Sequence, residues 1–264
     1  MFSKEIRMAN IIACNLGSYR GKFSKQEAHQ HLHEIGLTSV EVSAPTPQEI
    51  NSVKKELDTY GLTATTILAS HDVKSENFVT DFQQTLETTH KMGVDRIFLS
   101  AHGGNLPKKV VFNRLRELGG NAQKLGITIC LETHPNLANN GDVALETMNS
   151  INHPCIGINF DTANVHYHTN RKIDTVEEIQ KILGYIKAVH LKDTMGGYHA
   201  WQFPTLGEGI INFKSVFELL NGNGFNGPFT LELEGIEGED LDRTGILTRV
   251  EESFQYLKDI GVVN

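Results

Sequence analysis

The feature that most constrains this chain is a recurring punctuation: an amphipathic helical stretch, a glycine, then a short apolar run ending in polar residues. It recurs as "HLHEIGLTSVEVS", "ELDTYGLTATTILAS", "THKMGVDRIFLSA", "AQKLGITICLE", "QKILGYIKAVHL" and "LLNGNGFNGPFTLELE", at about the spacing of one βα unit. Gly36, Gly61, Gly93, Gly126, Gly184 and Gly224 are expected to stop the helices with left-handed backbone. At "NHPC" Pro154 is expected to take that role. Within the intervening segments, Ile50, Val53 and Leu57, Phe78, Phe82 and Leu86, and Ile246, Val250, Phe254 and Leu257 each line one helical face.

The apolar runs number eight, at about residues 8–14, 38–43, 62–70, 95–101, 127–132, 156–161, 186–192 and 229–234. Eight short strands, apolar on both faces and alternating with helices, predict an α/β protein folded as a single (β/α)8 TIM barrel over residues 1–264. The competing open, doubly wound sheet needs a glycine-rich phosphate turn after a strand, and no strand is followed by a GxGxxG turn. The hydrophobic fraction of 39% and charged fraction of 21%, without low-complexity runs, suit one large core.

Catalytic groups of such barrels sit at the C-terminal strand ends. Those ends offer Asn15, Glu41, His71, His102, Glu132 with His134, Asp161, His190 with Lys192, and Glu232 with Glu234. Asp161 or Asn164 alone would pass as a helix cap. A ring of Glu, Asp, His and Glu goes beyond capping. Alternate strand residues share a face, which groups Asn159 with Asp161, His190 with Lys192 and Glu232 with Glu234. Carboxylates converging in one mouth repel one another unless a cation is present. Oxygen-rich donors with one nitrogen suit a hard divalent ion such as Mn2+, Mg2+ or Co2+, with Zn2+ also open; ligand type does not separate them, and Mn2+ is the expected ion.

The motifs "LETHP", "NFDTAN", "VHLKD", "LGEGIINF" and "GPFTLELEG", in this order, resemble the xylose isomerase-like barrel superfamily, in particular its sugar-phosphate isomerase/epimerase branch. The resemblance implies metal ligands Glu132, Asp161, His190 and Glu232, with Glu234 in reserve and Asp193 supporting the ligands from behind. It further implies proton abstraction next to a carbonyl and an enediolate intermediate, with Glu132 and Glu232 as the catalytic pair. Substrate contacts are expected from His71, His102, His134, Lys192 and Glu208. Structural readings stand beside these: a salt bridge for Lys192, a loop hydrogen bond for His134, a helix cap near Asn212 for Glu208. Arg20 and Arg171 are placed to meet a phosphate, and Trp201 and Phe203 to wall the pocket. The helical histidines His29, His31, His33 and His90 are expected in solvent.

Three rival readings arise. An inosose dehydratase-like lyase would use the same ion but expel a β-hydroxyl. A metal-dependent sugar-binding protein would lack turnover. An abasic-site endonuclease would use several zinc ions, and His71 and His102 match that family and leave a second ion beside Glu132 open. However, Asn164 stands where that family has a histidine, and the net charge of −8 disfavours a polyanion partner. The expected partner is a small sugar or sugar phosphate, with no nucleic acid and no membrane, and with self-association into a homo-oligomer. The beginning "MFSKEIRMANIIACNLG" lacks a signal-peptide or membrane-span pattern, giving a cytoplasmic expectation. Cys14, Cys130 and Cys155 lack metal-knuckle spacing and are read as small packing residues.

Overall fold

The computed structural model describes residues 9–263. The reading of the first residues and the start of the first strand at residue 8 therefore lie outside the described part. The strands are β1 (Ile11–Asn15), β2 (Ser39–Ser43), β3 (Thr63–Ala69), β4 (Arg96–Leu99), β5 (Thr128–Glu132), β6 (Ile156–Asp161), β7 (Ile186–Leu191), β8 (Gln202–Phe203), β9 (Pro228–Leu231) and β10 (Gly235–Ile236). Parallel pairing in the order β1-β2-β3-β4-β5-β6-β7-β9 closes a barrel, and β8 pairs with β10 as a separate two-stranded ribbon.

Helices α1 (Lys25–Glu34), α2 (Ile50–Thr59), α3 (Phe78–Met92), α4 (Lys108–Gln123), α5 (Gly141–Ile151), α6 (Asn164–Tyr167), α7 (Thr175–Lys181), α8 (Phe213–Gly222) and α9 (Arg243–Asp259) follow the strands. Their apolar stripes supply the layer outside the barrel, where Leu32, Leu57, Phe82, Leu115, Met148, Ile179, Phe217 and Leu257 are buried. Val53 is only half-buried, the one weak member of the stripes named above. Local chemistry sets the helix starts: Ser24 and Glu27 form a reciprocal capping box, and Asn140, Asp174, Asn212 and Asp242 accept N–H groups of the first turns.

Five of the six expected glycine stops have positive φ, Gly93 at 80° closing α3 being an example. Gly184 differs. It lies in a short 3-10 turn, Leu183–Tyr185, without positive φ. Helix α5 is closed by Asn152 at φ 46°, not by Pro154; asparagine tolerates this conformation because its short polar side chain bonds locally. Two expected solvent histidines are buried instead. His29 meets Glu56 at 2.7 Å, and His31 lies between Tyr19 at 2.8 Å and Glu251 at 3.0 Å. Each buried imidazole thus has a polar partner, which makes its burial tolerable. His33 and His90 are exposed.

Candidate metal centre

Parallel register brings the polar strand ends level. Glu132 pairs with Asn159, Asp161 with His190, and His190 with Thr230. Register shifts lie between Ile158 and Asn159 and between Val40 and Glu41, irregularities of the kind that re-aim side chains beside sites. Strand β9 ends at Leu231, so Glu232 and Glu234 lie just past it rather than within the expected 229–234 run.

One ligand atom from each of Glu132, Asp161, His190 and Glu232 lies within 4.8 Å of the others. Among the described residues this is the one such group of three or more. Asp161 Oδ1 accepts the N–H groups of Ala163 at 2.8 Å and Asn164 at 2.7 Å, which leaves Oδ2 for the centre. His190 turns Nε2 to Glu41 at 3.3 Å, and Asn15 donates to the other Glu41 oxygen at 2.6 Å. With Nε2 turned to Glu41, Nδ1 faces inward, the arrangement by which outer partners orient a metal-binding histidine. Phe98 stacks on the same imidazole at 4.6 Å.

Lys192 enters from the side. Its Nζ lies 2.9 Å from Asp161 Oδ2 and 2.7 Å from both Glu232 Oε2 and Glu234 Oε2, and it donates to Asn164 Oδ1 at 3.2 Å. The contacts to Asp161 and Glu232 are close in charge but fail hydrogen-bond angles. Asp161 Oδ2 and Glu232 Oε2 are therefore ion-paired but not hydrogen-bonded, and His190 Nδ1, also without a hydrogen bond, lies 3.2 Å from Glu232 Oε2. Three buried atoms without hydrogen bonds, on residues that each bring a ligand atom within 4.8 Å of the others and of one on Glu132, fit a divalent cation, which would satisfy them together.

The electrostatics follow from crowding. Burial lifts Asp161 to about 7, against the pull of Lys192 and with the push of Glu232 and Glu132. Burial also pushes Glu232 up, but Lys192 and His190 outweigh it and hold the carboxyl well below its ordinary range. His190 is pushed down by burial, yet the charges of Glu232 and Glu41 carry it well above the usual imidazole value. His134 is pushed down by burial and lifted further by Glu132, whose Oε2 lies 2.7 Å from its Nε2.

A cavity of about 520 Å3 opens over this floor, lined in part by His71, His102, His134, Glu132, Glu232 and Glu234. His71 Nε2 is bonded to Thr85 at 2.9 Å and its ring packs on Phe82 at 4.4 Å. The structure does not gather His71 and His102 into a second ligand group among the described residues. Glu208 is exposed, away from the cavity wall, and the cap of α8 is supplied by Asn212. Phe203 is buried under Lys192, with Nζ 5.1 Å from its ring centre. Trp201 packs on Phe203 at 5.1 Å, is partly exposed and does not line the cavity.

Asp193 does not stand behind the ligands as expected. Its carboxylate accepts N–H groups from Thr194, Gly207, Gly209 and Ile211 at 2.8–3.2 Å, knotting the loop after β7. Glu41 lies midway along β2 rather than at its end, and a carboxylate within that buried strand is the sequence-level signal for its contact with His190. Asn164 was weighed as a cap, yet it joins Glu132 at 3.1 Å to Lys192.

Residues 30–260 match the family model described as a xylose isomerase-like TIM barrel. The chain belongs to that family. This xylose isomerase-like barrel is 23% identical over 263 residues to an inosose dehydratase of Histophilus somni (strain 129Pt), covering 86% of this chain and 87% of that protein. It is 32% identical over 121 residues to the L-ribulose-5-phosphate 3-epimerase UlaE of Salmonella typhi, covering 45% of this chain and 40% of that one. The match therefore spans less than half of the epimerase. A crystal structure of the IOLI protein with a zinc atom superposes with a TM-score of 0.76 at 17% identity, covering 96% of this chain and 99% of that one. At that identity the likeness is one of fold.

Proposed function

We propose that this protein is a divalent-metal-dependent enzyme that removes a proton from the carbon next to a sugar carbonyl and so epimerises or isomerises a ketose-like substrate. The observation that carries the reading is the convergence of Glu132, Asp161, His190 and Glu232 on one point, with Asp161 Oδ2, His190 Nδ1 and Glu232 Oε2 lacking hydrogen-bond partners. The zinc in the IOLI structure, which shares the fold, supports an ion at such a site. When bound, Mn2+ or a similar ion would draw electrons from the carbonyl and acidify the neighbouring carbon.

The chain's own residues do the rest. Glu132 and Glu232 come from strands that are not neighbours in the barrel. One carboxylate takes the proton and the other returns one, which inverts the centre; a single carboxylate acting alone moves the carbonyl instead. His134, 2.7 Å from Glu132, compensates its charge and orients it. Lys192 holds Glu232 ionised and ready to accept. Asn15 and Glu41 keep the imidazole of His190 in one orientation.

A second reading is favoured by one comparison. One relative, matched along 87% of its length, is an inosose dehydratase, and the same constellation would serve loss of a β-hydroxyl after proton removal. The two are separated by incubating the protein and Mn2+ with ketoses and inososes in deuterated water. Proton NMR should show deuterium at the carbon next to the carbonyl, without loss of water for an epimerase and with it for a dehydratase. Glu132→Gln and Glu232→Gln should each cut exchange by roughly a hundred-fold or more while far-UV circular dichroism is unchanged. Glu234→Gln, whose carboxylate meets Lys192 but lies outside the ligand set, should cost much less. Undiminished exchange in the Glu132→Gln, Glu232→Gln double variant would overturn the assignment.

A further inference from the structure

The walls of the cavity say more about the substrate than its floor does. Beyond the ligand carboxylates Glu132 and Glu232, the lining carries two further acids, Asp72 and Glu234. Against them stands Lys74, the one lysine or arginine of that lining among the described residues, and its Nζ lies 3.5 Å from Asp72. Lys192, at the edge of the floor, is enclosed by Asp161, Glu232 and Glu234. The two arginines that sequence alone offers to a phosphate are committed elsewhere. Arg171 meets Glu178 at 2.8 Å and Asp142 at 3.4 Å, and Arg20 lies 3.6 Å from Glu239.

A phosphate dianion is held by guanidinium forks, free ammonium groups or unpaired N–H groups. This wall instead presents the hydroxyls of Ser70 and Ser100, the imidazoles of His71 and His102, and the ring of Phe98. Burial holds both imidazoles below the ordinary value, so both are uncharged at neutral pH. Uncharged groups that donate and accept single hydrogen bonds, set beside an apolar ring, suit the alternating hydroxyls and C–H faces of a sugar.

We infer that the substrate carries no phosphate: the cavity, with Asp72 and Glu234 on its wall, takes an uncharged polyhydroxy ketone. The inference rests on the proposed sugar chemistry and narrows its substrate class, against the example of the sugar-phosphate epimerase that matches 45% of the chain. The test uses the Mn2+-loaded full chain with L-ribulose, D-fructose and scyllo-inosose, and with the esters L-ribulose 5-phosphate and D-fructose 6-phosphate. Solvent deuterium exchange gives kcat/KM, and isothermal titration gives affinity. At least one neutral compound should exceed its best phosphorylated counterpart by roughly ten-fold or more in kcat/KM. Inorganic phosphate should not compete with it.

Asp72→Lys, which adds a cation to the wall, should raise the ratio of kcat/KM for an ester to kcat/KM for the neutral ketone; an unchanged ratio would show that the charge of this wall does not select the substrate. Turnover of esters alone, or competition by inorganic phosphate, would overturn the inference while leaving the reading of the site as a sugar-processing centre intact. Neither binding nor exchange with any probe of either kind would overturn both.

Discussion

Asp161 divides its two oxygens: Oδ1 closes the turn into α6 by accepting two N–H groups, and Oδ2 faces Lys192 and the other candidate ligands. The same side chain is thus a cap and a ligand, which is why its residue type alone left both readings open. Lys192 likewise serves as salt-bridge partner to three carboxylates at once. Replacing it by methionine removes a buried charge that several acids rely on. Such a change is expected to cost about 3–5 kcal/mol, measured by urea unfolding without metal, with part recovered on adding Mn2+. A second residue gives a pH signature. Burial, then the positive charges of His134 and Lys192, hold His168 down to about 3 from 6.5. The folded protein keeps this ring neutral while the unfolded chain takes up a proton as pH falls through 6.5. Its contribution is whole above 6.5 and drains as pH falls toward 3. His168→Asn should therefore flatten the fall in stability from pH 6.5 downward, read by unfolding across pH; an unchanged slope would show that the ring is not buried neutral.

The loop from β7 to α8 owes its shape to one carboxylate. Asp193 gathers N–H groups of residues up to 18 positions away, and a Cβ on Gly209 would sit 2.2 Å from Asp193 Oδ1. Asp193→Ala leaves those donors without their acceptor and is expected to cost about 3 kcal/mol. Amide exchange should rise at Gly207, Gly209 and Ile211 before it rises in the barrel strands; uniform loss of protection would show that the loop is not a separate unit. This role was not legible in the sequence, because "GEG" shows a turn but not what its amides reach. Local elements were legible where the signal is local. The glycine stops mostly held, since a left-handed closing residue leaves its mark at one position, whereas Gly184 and Asn152 depended on the turns around them. The buried His29 and His31 were missed because their partners Glu56 and Glu251 come from other helices.

The barrel as a whole was the most legible feature, because eight apolar runs in alternation with helices leave little choice of architecture. Its closure by β9 pairing with β1 and β7 also makes the site a product of complete folding: the four candidate ligands extend from residue 132 to residue 232. An ion bound there binds the folded chain alone, so Mn2+ should raise the unfolding temperature, and a chelator should return it, by an amount that grows with the logarithm of free metal. The outer partners of the site were less legible, since Glu41, Asn15 and Asn164 become neighbours of His190 and Glu132 only once the barrel closes. The most direct measurement is anomalous scattering from a crystal grown with Mn2+. The account expects one strong peak in bonding contact with Glu132, Asp161, His190 and Glu232, and loss of that peak in Asp161→Asn crystals. A peak elsewhere, or bare side chains at saturating Mn2+, would contradict it.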